Sequence, residues 1–295
     1  MNYHLKYFLL QLSKILFVCA LLVSVNSYGQ SYLDVAGVTY SYQQPFGNKE
    51  QPGFNTINHV TAFLNAPLKI NKDYLLLTPN MEFYDVRIDN KLIPYRSGQF
   101  TISWLHQWKN ERWNTAFVAI TGSNAVKQDW FKQNALQAGG AILNTFTKNK
   151  DLKFKFGVYG NAEFFGPYFL PLLGIDWNIT SRLGLYGILP SYLFLEYKII
   201  PDKFHGKLFV DAETISYRNK SRQFFRVNDN HIKMISDFYL TKQIVLSAEA
   251  GHSFLRDFKG GERKDGKTTQ YNLDYHDDYL VRMGLYFRVS TESKN

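Results

Sequence analysis

The chain has a single cysteine among its 295 residues, Cys19, and it lies inside the one long apolar run, at the N-terminus. If that run is cleaved, no cysteine is left. Disulfide scaffolds, thiolate metal sites and cysteine nucleophiles are then excluded together. Beyond the N-terminus no apolar stretch is long enough to cross a membrane as a helix, and the mean hydropathy is −0.28, which excludes a helical membrane bundle. His59, His106, His205, His231, His252 and His276 show neither His-x-x-x-His nor His-Glu-x-x-His spacing, so a compact zinc site has no support. A glycine loop leading into Lys-Ser/Thr is missing, and so is a Gly-x-Ser-x-Gly elbow; a phosphate cradle and a hydrolase nucleophile on a sharp turn go with them. The net charge is +9, but the bases are spread thinly, without the Lys/Arg cluster of a nucleic-acid binder.

What the chain does have is aromatic side chains: 24 Phe, 20 Tyr and 5 Trp, 17% of the sequence. A chain this rich in large apolar groups is not disordered. Its length suits one large all-β domain or two smaller ones.

Lys6 and Lys14 precede the apolar run 15–23, and Ser27-Tyr28-Gly29-Gln30 follows it. Positive charge, apolar core and small residues at −3 and −1 form a secretory signal with cleavage after Gly29. A permanent anchor is the competing reading, but the apolar core is short of the ~20 residues a spanning helix needs. The expected organisation is a signal over 1–29 and a single domain over 30–295. Without the two leader lysines the net charge falls from +9 to +7.

After Gln30 the pattern is alternation. Leu152, Phe154, Phe156 and Val158 share one parity, and Lys153, Lys155, Tyr159 and Asn161 the other. Likewise Val281, Met283, Leu285, Phe287 and Val289 oppose Arg282, Gly284, Tyr286 and Arg288. A period of two puts each set on one side of a sheet. Roughly fourteen such strands are expected, near 32–43, 56–69, 74–87, 99–109, 113–121, 134–146, 151–164, 169–178, 182–189, 191–199, 206–217, 231–240, 243–254 and 279–289. Short polar connections at 71–73, 109–112, 147–150, 178–181, 201–203 and 240–243 follow every even strand. Longer ones, at 44–55, 88–98, 122–133, 218–230 and 255–278, follow most odd strands.

Short turns at one end and long loops at the other are the layout of an outer-membrane barrel, whose tight turns face the periplasm. An even strand count puts both termini there. The expected fold is therefore all-β: a membrane-spanning antiparallel up-and-down β-barrel of about fourteen strands. Twelve is the second choice, because residues 183–199, read as a hairpin turning at Leu189-Pro190-Ser191, could be one kinked strand. Pro79, inside the third strand, calls for a local irregularity. Mid-strand Lys153, Lys155, Arg282 and Arg288 fix the facing: a cation facing lipid at mid-depth costs about 2–4 kcal/mol, so they belong in the lumen. Tyr74, Trp108, Trp113, Trp177 and Tyr279 near strand ends suit interfacial girdles.

The segment Pro171-Leu172-Leu173-Gly174-Ile175-Asp176-Trp177, then Leu183-Gly184-Leu185-Tyr186-Gly187-Ile188-Leu189-Pro190 and Glu196-Tyr197-Lys198, resembles an uncharacterised, domain-of-unknown-function family of outer-membrane β-barrels. The Tyr28-Gly29-Gln30 region is similar to exported proteins of the Bacteroidota. The last strand, with Arg282, Gly284, Phe287 and Val289, resembles a barrel-assembly signal. The resemblance implies residence in the bacterial outer membrane, with its lipid, lipopolysaccharide and the barrel-assembly machinery as partners. It assigns no function.

Candidate functional residues are the charges of the polar parity: Lys153, Lys155, Glu163, Asp176, Glu196, Asp211, Glu213, Glu249, Arg282 and Arg288. They fit a charged constriction that selects permeants and, equally, a lumen plugged by mutually satisfied ion pairs. Asp274, His276, Asp277 and Asp278 form an acidic loop, read as solvated rather than as a divalent-ion or lipopolysaccharide contact. A lipid enzyme needs a nucleophile and base two apart on a strand. His252 and Ser253 are adjacent, and His59 and Thr61 have the spacing but a poor nucleophile. No catalytic, cofactor or metal residue is expected. The leading function is a non-catalytic small channel or structural barrel. The alternatives are a transporter of hydrophobic cargo, a barrel lipid enzyme and a soluble periplasmic β-sandwich.

Intact-mass analysis of the exported protein should place its first residue at Gln30. A first residue before Ser24 would contradict the signal reading.

Overall fold

The computed structural model describes residues 32–43, 56–88, 91–219, 222–273 and 276–290; the leader, its cleavage site and the connection 44–55 lie outside them. The strands are β1 (Tyr32–Gln43), β2 (Thr56–Leu64), β3 (Ala66–Ile70), β4 (Asp73–Ile88), β5 (Lys91–Gln107), β6 (Trp113–Val126), β7 (Leu136–Asn149) and β8 (Leu152–Glu163). They continue as β9 (Gly166–Asn178), β10 (Leu183–Leu189), β11 (Tyr192–Ile200), β12 (Phe204–Arg218), β13 (Gln223–Tyr239), β14 (Ile244–Lys264), β15 (Lys267–Asn272) and β16 (Tyr279–Ser290). Two 3-10 turns, Lys127–Asp129 and Gln133–Ala135, link β6 to β7.

Each strand pairs antiparallel with its neighbour, and β16 returns to β1 in register from Tyr32↔Ser290 to Gln43↔Leu280. Since β13 also pairs β14, the sheet closes on itself. β2 and β3 are one wall strand interrupted at Asn65, and β15 is an extension folded back on β14, so the wall is a closed barrel of 14 strands. Residues 183–199 form the hairpin β10–β11, in register from Leu183↔Tyr197 to Ile188↔Tyr192, which settles fourteen over twelve.

The irregularity called for by Pro79 appears in its neighbour. β4 keeps one register across the break, Phe63↔Asn80 and Ala66↔Leu77, so Pro79 lies opposite the interruption. Proline has no N–H to give to the ladder. The Asn65 amide N instead donates to the Val35 carbonyl at 2.6 Å, where β1 bulges between Asp34 and Ala36. Asn65 Nδ2 donates to the Asp34 carbonyl at 2.8 Å, and its Oδ1 accepts from Thr78 at 2.7 Å.

The facing follows the alternation. Val38, Met81, Ile102, Phe117, Ile142, Phe154, Phe156, Val158, Leu173, Leu195, Leu208, Met234, Val281, Met283 and Leu285 are all exposed. They come from strands all around the wall. An apolar belt of this extent needs a hydrocarbon neighbour. Trp108, Trp113 and Trp177 stand on the outer face at the short-turn end, and Tyr279 is exposed at the other. Tyr74 departs from this pattern: it pairs with Leu105 on the inner parity, and Lys69 Nζ lies 6.0 Å from its ring.

Away from the short turns the strands run further than the sequence indicates. Most of 88–98, 218–230 and 255–264 is strand rather than loop, belonging to β5, β13 and β14. Pro94, Gly98, Gly260 and Gly261 read as turn residues, and the outer parity there turns polar because it leaves the hydrocarbon. The inner parity of these extensions builds an apolar core of Ile57, Tyr84, Val86, Tyr95, Ile215, Tyr217, Phe225, Val227 and Phe258.

Phe156→Arg should lower barrel stability by about 2–4 kcal/mol in lipid, while Lys155→Gln should assemble normally. Heat-modifiable mobility on gels and refolding yield in vesicles report both. The reverse pattern would mean the inner and outer faces have been exchanged.

Candidate functional site: the braced lumen and its closed mouth

Charged side chains on the inner parity of a closed wall have only one another and lumenal water to pair with. Each of the ten charges singled out from the sequence projects from the face opposite the apolar belt. Near the short-turn end, Arg288 is the hub: Nε meets Asp34 Oδ1 at 2.6 Å and Nη1 meets Asp237 Oδ2 at 2.8 Å. Its guanidinium carbon lies 3.8 Å from the centre of the Tyr32 ring. Lys207 Nζ adds a second cation to Asp237 at 2.7 Å. Glu196 accepts from Tyr32 Oη at 3.1 Å and faces His205 Nδ1 at 3.4 Å. Tyr32 is on β1 and Glu196 on β11, which are not neighbours in the wall; that bond crosses the lumen.

A second layer lies deeper. Lys233 Nζ meets Asp211 Oδ1 at 2.9 Å and Glu249 Oε2 at 3.7 Å, and Arg282 Nη1 reaches the same Glu249 oxygen at 3.8 Å. His231 stands between Asp211, at 3.4 Å, and Asp229, at 3.3 Å. On the facing wall Lys155 Nζ donates to Asp176 at 2.8 Å, and Lys153 is opposite Asp176 in the β8–β9 register. Glu213 stands in the field of Glu82, Asp211, His59 and His231. Between the two layers is a cavity of about 210 Å³, bordered by Lys207, Lys233, Arg282, Arg288, Asp237 and Glu249.

Among the described residues the far end is bridged. β12 runs past the end of β11, stays paired with β13 as far as Arg218↔Phe224, and at its tip forms a parallel bridge, Arg218↔Ala125, with β6 across the mouth. Tyr217 stacks on Tyr84 at 5.9 Å and tilts against Tyr95 at 5.1 Å, and Tyr95 stacks on Phe225 at 4.9 Å. Glu163 holds the crossing strand: it accepts from the Ser216 amide at 3.1 Å, Ser216 Oγ at 2.5 Å, Gln137 Nε2 at 3.0 Å and Asn161 Nδ2 at 2.7 Å. Arg256 pairs bidentately with Asp229, at 3.0 and 2.9 Å, and also bonds Gln43 on β1. Ser216, Tyr217 and Ala125 have at most 1% of their surface exposed.

Beside this cap lies the acidic segment, of which Asp274 is outside the described residues, His276 and Asp277 are exposed and Asp278 is buried. Asp277 accepts from the amides of Arg256 at 2.9 Å and Leu255 at 3.2 Å, holding the turn where Leu255 takes φ 53°. Asp278 is buried, and burial pushes its carboxyl above the ordinary range.

Sequence reasoning missed Asp34, Lys207, Lys233 and Asp237, although the same parity marks them. It also missed Asp229 and Arg256, which fell in segments taken for loops. His59 and Thr61 do meet, at 3.3 Å, but Glu82 also meets His59 through Nε2, at 3.1 Å. A relay needs the acid and the hydroxyl on different ring nitrogens. Among the described residues no group of three His, Cys, Asp or Glu side chains is placed to hold a metal ion.

Residues 88–289 match the family described as a domain of unknown function, DUF6268, and the chain belongs to it. Among solved structures, the NanC porin aligns over 85% of this chain and 98% of its own, at 10% identity and a TM-score of 0.42. The toluene transporter TodX of Pseudomonas putida aligns over 89% and 90%, at 7% identity and a TM-score of 0.39. Outer membrane phospholipase A from Escherichia coli aligns over 91% and 96%, at 9% identity and a TM-score of 0.37. No curated protein matches the chain in sequence.

Arg288→Ala leaves Asp34 and Asp237 short of their shared cation and should cost about 3–5 kcal/mol, measured by urea unfolding in lipid. A loss below about 1 kcal/mol, the value of a solvated pair, would mean that water already screens this layer.

Proposed function

We propose that this member of the DUF6268 family is a non-catalytic outer-membrane barrel of a Bacteroidota cell, a small channel whose resting state is shut at the outer mouth. The observation that carries the reading is the passage of β12 across the lumen to β6. A strand tip held to the opposite wall by the Tyr217, Tyr84 and Tyr95 rings obstructs the lumen at that end among the described residues. The channel half of the reading rests on the charged cavity beneath, bordered by four cations and by Asp34, Asp237 and Glu249. Such a lining suits a small charged solute and not hydrophobic cargo. The absence of a relay at His59 favours a non-catalytic role.

Planar-bilayer recording tests both halves. The native protein should show no steady conductance. Tyr217→Ala with Phe225→Ala loosens the cap and should open discrete steps, and Ala125→Cys with Arg218→Cys, oxidised on that background, should silence them. Steady native current of the same size as the variant's would overturn the closed mouth. A folded, loosened variant that stays silent would overturn the channel and leave a structural barrel.

A further inference from the structure

The lipid-facing side of the wall carries one polar patch that neither the lumen nor the cap explains. Where β4, β5, β6 and β7 meet the short turns, the outer parity changes from apolar to hydrogen-bonding. Asp73 opens β4 on that face. Its Oδ2 accepts from Trp104 Nε1 at 3.1 Å and meets His106 Nδ1 at 2.9 Å, and its Oδ1 accepts from the Gln107 amide at 3.0 Å. His106 packs edge-on against Trp108 at 4.6 Å. Trp108 Nε1 donates to Thr115 Oγ1 at 2.8 Å, and Thr115 Oγ1 donates to Asn144 Oδ1 at 2.8 Å. The Thr115 hydroxyl proton is thus committed to an amide oxygen and not to the imidazole, so this is not an activated nucleophile. Of these groups His106, Trp108, Thr115 and Asn144 floor an open cavity of about 680 Å³, within the range of small-molecule sites, with Lys72, Lys109 and Asn110 from two turns at its rim.

The occupant has to satisfy three features at once. The cavity opens on the face whose staves above it, Ile102, Phe117 and Phe156, are exposed and apolar. Its rim carries two lysine ammonium groups, and the Asp73 carboxylate behind the floor is already engaged by three donors, although Glu111 shares the turn of Lys109. Its walls are Trp108 and Trp113, rings that suit the boundary between hydrocarbon and headgroup. A ligand with apolar chains along the staves and an anionic head among lysines at the interface is a membrane lipid.

We infer that this patch is a binding site for a single anionic glycerophospholipid of the leaflet on the short-turn side, held through its phosphodiester by Lys72 and Lys109 over the floor formed by His106, Trp108 and Asn144. The inference rests on the reading that this face meets lipid. Six short turns ring this end, and their lysines and arginines would attract anionic headgroups diffusely; this site differs by its cavity and its hydrogen-bonded floor.

The test is native mass spectrometry of the full-length barrel released from neutral detergent, titrated with dioleoylphosphatidylglycerol. The native protein should retain one lipid saturably. Lys72→Gln with Lys109→Gln should weaken retention by about ten- to thirty-fold, the weight of two cations at a membrane surface. Asn144→Leu, which keeps every charge, should weaken it as well. Lys203→Gln with Lys242→Gln, in the turns at the far side of the barrel, should leave it unchanged. Equal weakening by the far-side pair would replace the site with diffuse attraction, and so would an unaffected Lys72→Gln, Lys109→Gln double variant. Competition by glycerophosphoglycerol at concentrations equal to the lipid would assign the site to a free phosphodiester and overturn the lipid. If this face does not meet lipid, the failure is separate and visible: the protein stays in solution without detergent and retains no lipid at all.

Discussion

Everything in this molecule depends on the closing of β16 onto β1. In hydrocarbon an unpaired backbone N–H or C=O costs several kcal/mol, so a sheet can cross only if its two edges find each other. The eleven paired positions between Tyr32↔Ser290 and Gln43↔Leu280 remove the last open edge. Once the wall is closed, the period of two leaves each side chain two environments, lipid or lumen. The Phe154, Phe156, Val158 series and the Lys153, Lys155 series are sorted by that choice alone. The break at Asn65 shows how strictly the constraint holds. Where Pro79 cannot donate, the neighbouring amide finds a carbonyl at the β1 bulge and the register continues unchanged.

The interior then has to be filled, and the chain fills its two ends with different chemistry. Toward the short turns the lumen is braced by ions: Arg288, Asp34, Asp237, Lys207 and Glu196 join β1, β11, β12, β13 and β16 into one network. Such pairs give little net stability against an apolar filling, but removing one partner is expensive. They therefore specify geometry more than they add stability. Toward the opposite end the filling is aromatic, and the transition comes where strands leave the bilayer. There the extensions no longer need an apolar outer face and can turn their large side chains inward. Tyr217, Tyr84, Tyr95 and Phe225 form a core like that of a water-soluble protein, set on top of a membrane wall. The charged cavity lies between the ionic layers, away from the aromatic cap.

Much of this was legible in the sequence, and the physical reason is the period of two. Wherever a strand crosses lipid, its two faces differ so strongly in polarity that fourteen strands, their facing and the short turns at one end can be read from residue order. The same signal fails outside the bilayer. Between residues 88 and 98, and again beyond Leu255, both faces carry mixed residues, so continuing strand looks like loop. Asp229 and Arg256 were hidden for that reason. Tyr74 was misplaced because a Tyr beside a turn suits either face. The bridge from Arg218 to Ala125 joins positions far apart in sequence and on opposite walls, and no local pattern encodes it. The Asp73, His106 and Thr115 patch was obscured by its position at the strand ends, where a few polar residues on the lipid face read as turn.

Closure at the outer mouth is the claim on which the functional account rests, and a distance measures it directly. Nitroxide labels on Lys127→Cys and Asn219→Cys flank the bridge between β6 and β12, introduced into residues 30–295, which contain no cysteine. Double electron–electron resonance on the barrel in lipid nanodiscs should give one short, narrow distance, because the tip of β12 lies against β6. A broad distribution centred near the full width of the barrel would show β12 standing up along its own wall and the mouth open.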